Sequence, residues 1–278
     1  MRLKISHTTE YRYDDPVQYS LQRLRLTPKN QPGQIVLHWR TIVDGARQEA
    51  GYTDHFGNHV DLVSTNAEQV AIRIVAEGEV ETEDRAGVFG PHQGFVPLWL
   101  YLRETPLTRP GKLIRDMAKA SAGDNELARM HDLMAMLHET VAYRPGETAA
   151  TTTAEQALES KQGVCQDHAH IFIAAARHLG IPARYVSGYL MMETPEQTAS
   201  HAWAEVHLQG LGWVGFDAAN KICPDARYVR LSTGLDYKDA APVSGMVVGK
   251  AAETMSVSIT VAPSAGQSQA QSQAQSQS

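Results

Sequence analysis

Three short runs carry groups capable of covalent chemistry. They are Gly163-Val164-Cys165-Gln166-Asp167-His168-Ala169-His170, then Ser200-His201-Ala202-Trp203-Ala204-Glu205-Val206, then Gly212-Trp213-Val214-Gly215-Phe216-Asp217. A thiol, an imidazole and a carboxylate arrive in that order. A thiol is a good nucleophile only when a neighbouring group helps to ionise it. The set points to acyl transfer, with Cys165 as nucleophile, His201 as base and acid, and Asp217 as the group that orients the imidazole.

Local structure can put each of them in place. After Cys165, the residues Ile171, Ala174, Ala175 and His178 keep a helical period, and Gly180-Ile181-Pro182 ends it. Cys165 therefore falls at a helix N-terminus. Unpaired N–H groups and the helix dipole favour a thiolate there and can receive an oxyanion. Gly163 permits tight backbone and close substrate approach. Strands are expected over 184–190, 201–208 and 212–217. The last two read as a β-hairpin turning at Gln209-Gly210, with His201 opposite Asp217, Trp203 opposite Gly215 and Glu205 opposite Trp213. Directly opposed residues have Cβ atoms about 4.5–5.5 Å apart, close enough for an imidazole–carboxylate hydrogen bond. A slip of one residue would separate the two side chains.

The first 80 or so residues read as β. Val70, Ile72, Ile74 and Ala76 recur at period two, 34–39 and 60–63 are further strand candidates, and Phe56-Gly57-Asn58-His59 reads as a turn. Glycines and prolines over 81–110 mark a connecting stretch. From Lys112 the pattern is helical, and Leu127, Met130, Met134, Leu137 and Val141 form a core stripe. Thr153-Ala154-Glu155-Gln156 has capping-box spacing and opens a short helix ending near Ser160. The division expected is a β-rich domain over 1–105, a core over 106–262 ending in a C-terminal strand, and a disordered Gln/Ser/Ala tail over 263–278.

A chain of 278 residues at 42% apolar and 20% charged is ordinary globular material. A net charge of -6 gives no reason to expect nucleic acid or an anionic membrane as partner. The N-terminus lacks the apolar stretch of a secretory signal, so a cytoplasmic location is expected, with both Cys165 and Cys223 as free thiols. Cys223 reads as a small buried apolar residue. Cys165 and His168 are three apart, but no second cysteine stands at zinc-ribbon spacing and no segment has a calcium-loop pattern, so neither metal nor another cofactor is implied. Asp167 reads as a first-turn helix acid. His7, His38, His55, His59, His131 and His138 read as surface or core residues without chemical roles. Trp203 and Trp213 read as sheet-packing aromatics, with Trp203 also a candidate wall of the substrate cleft. Gln166 and Tyr143 are candidate oxyanion or substrate contacts. Asp236 and Tyr237 could line the cleft, although loop acids and tyrosines are more often plain surface residues.

Residues 163–170, the continuation Arg177-His178-Leu179-Gly180-Ile181-Pro182-Ala183-Arg184-Tyr185-Val186-Ser187-Gly188-Tyr189, His201-Ala202-Trp203 and Trp213-Val214-Gly215-Phe216-Asp217 resemble the bacterial transglutaminase-like superfamily. Tyr11-Arg12-Tyr13-Asp14 and Leu24-Arg25-Leu26-Thr27-Pro28 resemble the β-rich N-terminal domain that accompanies that core in bacteria. The stretch 228–242 resembles the segment that follows it. The resemblance implies an α+β protein with a papain-like core: a helix bearing the cysteine packed on an antiparallel sheet bearing His and Asp. It implies the same three roles for Cys165, His201 and Asp217. Many bacterial members are described as candidate cysteine proteases rather than protein cross-linkers. One departure stands out: relatives commonly carry Pro then Thr before the Asn, where this chain has Ala218 and Ala219 before Asn220. The expected function is attack on an amide bond of a protein, a peptide or a small amide through a thioester, with hydrolysis or transamidation to follow. The alternative is a non-catalytic peptide- or protein-binding module on the same fold.

Overall fold

The computed structural model describes residues 1–65, 68–249 and 251–264. Six strands come first: β1 (Arg2–Val17), β2 (Tyr19–Leu24), β3 (Gln34–Asp44), β4 (Arg47–Thr53), β5 (His59–Thr65) and β6 (Gln69–Thr82). A connecting stretch holds β7 (Val88–Gly90) and a 3-10 turn at Leu98–Leu102. Then come α1 (Lys112–Ala120), α2 (Glu126–Thr140), β8 (Ala142–Tyr143), α3 (Ala154–Ser160), β9 (Gln162–Gly163) and α4 (Cys165–His178). The chain closes with β10 (Ala183–Leu190), β11 (Glu196–Gln197), β12 (His201–Leu208), β13 (Gly212–Phe216), β14 (Tyr228–Gly234), α5 (Tyr237–Ala240), β15 (Val243–Val248) and β16 (Glu253–Pro263).

Two sheets, in the orders β11-β16-β1-β6-β3 and β15-β2-β5-β4, make the β-rich region. Along β1 the alternate residues Leu3, Ile5, His7, Thr9, Tyr11 and Tyr13 are buried, as a strand with one face on a core requires. A third sheet, β14-β10-β12-β13-β7, carries α4 on one face. The chain crosses between these layers. β7 leaves the N-terminal region to edge the third sheet, and β15 and β16 return from the C-terminal side to pair with β2 and β1. A cut at residue 105 therefore does not separate the sheets into two lengths of chain. The tail expected from residue 263 lies, from 265 on, outside the described residues, and Pro263 closes β16.

α4 is the most buried helix of the core. Ile171, Phe172 and Ala175 pack with Ala202, Ala204 and Val206 of β12 and with Val214 and Phe216 of β13. The stripe on α2 buries Met130, Met134 and Leu137, with Val141 just past its end. Thr153 and Gln156 form the reciprocal capping box of α3. Arg177, in the last turn of α4, is a buried tie. It donates to the carbonyl oxygens of Tyr101 (2.9 Å), Ala183 (2.8 Å) and Leu235 (2.7 Å) and to Thr108 Oγ1 (2.8 Å). The connecting stretch, β10 and the start of α5 are thus pinned to one helix end.

Phe172 is fully buried and stacks on Phe216 with ring centroids 5.2 Å apart. Phe172→Ala is expected to cost about 3–5 kcal/mol, read as a lower urea midpoint, because the rigid helix–sheet interface cannot close over the cavity.

Candidate active site

Cys165 is the first residue of α4, and Val164 is its N-cap in extended conformation. The first N–H groups of a helix have no intrahelical acceptor, so the backbone beside Cys165 presents donors. Asp167 closes the turn beneath them: its Oδ2 accepts from Val164 N (2.8 Å) and from Thr148 Oγ1 (2.7 Å). A Cβ on Gly163 would stand 2.7 Å from that carboxylate, so the turn requires glycine there. Asp167 is accordingly a helix-start acid. His168 has its two ring nitrogens against the carbonyl oxygens of Val164 (3.0 Å) and Val141 (3.1 Å). His170 is buried and accepts from Tyr237 N at 3.1 Å, and its burial lowers it to about 4, so the ring is neutral.

The imidazole comes from the first residue of β12. His201 Nε2 donates to Asp217 Oδ2 at 2.6 Å, and both groups are buried. The other ring nitrogen is left for the thiol, and Cys165 shares the cleft with His201, close enough for its charge to act on the imidazole. The hairpin register differs from the expected one by two residues. Glu205 lies opposite Gly215, His207 opposite Trp213, and Leu208 pairs with Gly212 across a three-residue turn. Gly210 and Gly212 both have positive φ, which allows that longer turn. A shift of two keeps side chains on the same face, so His201 and Asp217 are diagonal neighbours rather than direct partners. Asp217 also lies one residue beyond β13. It exchanges backbone hydrogen bonds with Ile222, 2.9 and 3.2 Å, closing a loop over residues 218–221.

That loop and β14 complete the carboxylate's surroundings. Asp217 Oδ2 accepts from Asn220 Nδ2 (2.7 Å) and from the Tyr228 hydroxyl (2.7 Å) as well as from His201. Burial alone would raise the Asp217 carboxyl, but His201, Asn220 and Tyr228 outweigh it and hold it below the ordinary range. Burial would likewise lower His201. The charges of Asp217 and Cys165 overcome that and raise the imidazole to about 10. Tyr228 was not legible as a site residue, because it lies on another strand with no spacing signal toward Asp217.

The cleft over the thiol has a volume of about 280 Å³. Tyr143, Gln166, Tyr185, Met192, Thr198 and Tyr237 are among its walls. Tyr143 lines the cleft with Cys165, close enough for the two groups to act on each other electrostatically. Burial, then the charges of Cys165 and Asp217, push that hydroxyl up to about 12, so it stays a donor. Gln166 lines the same cleft, with its side-chain amide donating to Ala150 O at 3.4 Å. Trp203 does not line it. It is 1% exposed and backs the imidazole from behind, stacked on His201 at 6.3 Å and edge-on to Tyr228 at 5.4 Å. Gly188 makes room for that ring, since a Cβ there would come within 2.6 Å of it. Asp236 is buried and caps α5 through Lys238 N at 2.8 Å, whereas Tyr237 reaches the cleft. Cys223 lies away from the cleft, and burial raises its thiol to about 11.

A helix with a cysteine at its N-terminus, packed on an antiparallel sheet bearing His and Asp, defines a papain-like core. The sequence matches the transglutaminase-like superfamily over residues 115–218 and the bacterial transglutaminase-like N-terminal region over residues 3–81. The chain belongs to the transglutaminase-like superfamily. It is similar to an uncharacterized protein of Mycobacterium tuberculosis, 30% identical over 294 residues, which cover 94% of this chain and 93% of that one. An uncharacterized protein of Mycobacterium leprae is 27% identical over 280 residues, 94% of this chain and 98% of that one. Among solved structures, a candidate cysteine protease from Cytophaga hutchinsonii has the same fold, with a TM-score of 0.75 at 24% identity, covering 95% of this chain and 91% of that one. No helix among the described residues is long and apolar enough to cross a membrane.

The electrostatics of the pair set a pH dependence. An unfolded histidine titrates near 6.5, whereas His201 holds its proton to about 10. Its contribution to stability is therefore full below about 6.5 and is lost as pH rises through the folded value. Nitrogen NMR of the His201 ring at pH 7.5 should show an imidazolium. In Asp217→Asn the ring should titrate at least one pH unit lower, and an unchanged midpoint would contradict this account.

Proposed function

We propose that this protein is a cysteine enzyme acting on amide bonds through a thioester, with hydrolysis as its main outcome. The observation that carries the reading is the placing of Cys165 and His201 in one cleft, with Cys165 at the first position of a helix and the imidazole held by a buried carboxylate. An ion pair of thiolate and imidazolium is what such an arrangement favours.

The Cys165 thiolate attacks the carbonyl carbon and forms the C–S bond. The oxyanion is received by the Cys165 N–H and by the Tyr143 hydroxyl, which stays protonated in the cleft, whereas the Gln166 amide is engaged with Ala150 O. Collapse breaks the C–N bond, and His201 gives its proton to the departing amine. The neutral imidazole then takes a proton from water as the water oxygen attacks the thioester. The C–S bond breaks, an acid leaves, and the thiolate–imidazolium pair is restored. Asp217 keeps Nε2–H directed at itself throughout, so the same ring nitrogen serves both steps. Tyr143 and Met192 on the cleft walls are 51% and 44% exposed, which leaves the thioester open to water and favours hydrolysis over capture by an amine.

A proteome-derived peptide library, read by mass spectrometry for new termini and for deamidated glutamine, tests the reading; added dansylcadaverine reports transamidation. Cys165→Ala is expected to abolish all products with the fold intact, and substantial residual turnover would rule out the covalent route. On a peptide so identified, Tyr143→Phe should lower kcat about 10²-fold with little change in KM, the effect of losing one oxyanion donor.

A further inference from the structure

On the face of the third sheet away from α4, a separate pocket of about 160 Å³ lies between that sheet and the segment following β2. Lys29, Arg184 and Arg230 line it, with Trp213 and Phe89 as aromatic walls. Arg184 and Arg230 come from neighbouring strands β10 and β14, and both guanidinium groups donate to one oxygen, Glu205 Oε2, at 2.7 Å. Glu205 is fully buried and is the carboxylate bonded to these two arginines. The nearby Asp54 is bonded to Arg25 and Asn58, so it supplies no free charge. Three cations thus meet one anion, an excess of two positive charges: the two arginine side chains are buried, and Lys29 is exposed, its ammonium donating to Gly57 O at 3.0 Å.

Such an excess is costly in a low-dielectric setting unless a counter-charge is present. Arg230 Nε and Glu205 Oε1 of this cluster are buried without hydrogen-bond partners, although NH1 and NH2 of Arg230 are bonded to Gln31 and Glu205. Burial, then the guanidinium charges of Arg230 and Arg184, push the Lys29 ammonium down to about 8. The Arg184 guanidinium carbon lies over the Trp213 ring, 3.8 Å from its centroid, a contact that helps to fix its position independently of any ligand.

The geometry points to an anion site that takes a phosphate-class dianion, free or as a phosphomonoester, between Lys29, Arg184 and Arg230. Two guanidinium forks and an ammonium suit a tetrahedral oxyanion of charge two better than a single carboxylate. The pocket holds several times the volume of a water molecule, about 30 Å³, and so admits the ion with part of its hydration. The occupant would neutralise the cluster and lock the segment after β2 onto the third sheet, remote from the cleft over Cys165.

Isothermal titration and thermal unfolding of the full chain test this with inorganic phosphate, phenyl phosphate, acetate and chloride at matched ionic strength. Phosphate should bind and raise Tm where chloride and acetate do not. Lys29→Gln should weaken phosphate at least tenfold with an unchanged circular dichroism spectrum, and Lys29→Arg should restore it. Phenyl phosphate binding tenfold tighter than phosphate would assign the occupant to an organic monoester; equal or weaker binding would assign it to the free ion. No preference for phosphate over chloride and acetate, or equal affinity in Lys29→Gln, would overturn the proposal.

Discussion

The 2.6 Å hydrogen bond from His201 to Asp217 is the constraint around which the core is arranged. An imidazole has two ring nitrogens, and only one orientation leaves the right one for a thiol. The Asp217 carboxylate fixes that orientation, and it is fixed in turn by Asn220 and Tyr228. Trp203 closes the space behind the ring. These groups come from β12, from β14 and from the segment that follows β13, so the bond depends on the third sheet keeping its register. α4 supplies the counterpart by packing its apolar face on β12 and β13 and so setting Cys165 at the sheet's end.

The β-rich region is bound into the same structure rather than appended to it. Strands β15 and β16 come from beyond the core and pair with β2 and β1, and Tyr189, Val229 and Leu231 of the third sheet pack into the N-terminal core. Gln34 reaches the Arg230 backbone in both directions, accepting at 2.8 Å and donating at 2.9 Å. These contacts explain why the core comes with its N-terminal region: the sheet that holds His201 and Asp217 buries its far side against it.

Much of this was legible in the sequence, for reasons that are local. The period after Cys165 and the stop at Gly180-Ile181-Pro182 place α4 correctly, and Thr153 and Gln156 mark α3 through backbone chemistry alone. Alternation identifies the strand through Ile72 and Ile74. What was misread depended on distant atoms. The hairpin register turned on whether Gly210 or Gly212 stood opposite Leu208, a choice made by the positive φ of both glycines and by the pairing of β13 with β7. Parity still kept His201 and Asp217 on one face. Trp203 was open between wall and packing because its place depends on Gly188, on another strand. Tyr228 and the Arg184–Glu205–Arg230 cluster needed strand order, which no spacing in the chain encodes.

The proposed chemistry requires an activated thiol, and alkylation measures that directly. Iodoacetamide reaction across a pH series, with each cysteine followed separately by peptide mass spectrometry, compares Cys165 with Cys223, whose thiol burial keeps protonated to about 11. Fast modification of Cys165 near neutral pH is expected, with that advantage lost in His201→Ala. Modification of Cys165 no faster than Cys223, or only after unfolding, would contradict that chemistry and leave a fold that binds rather than reacts.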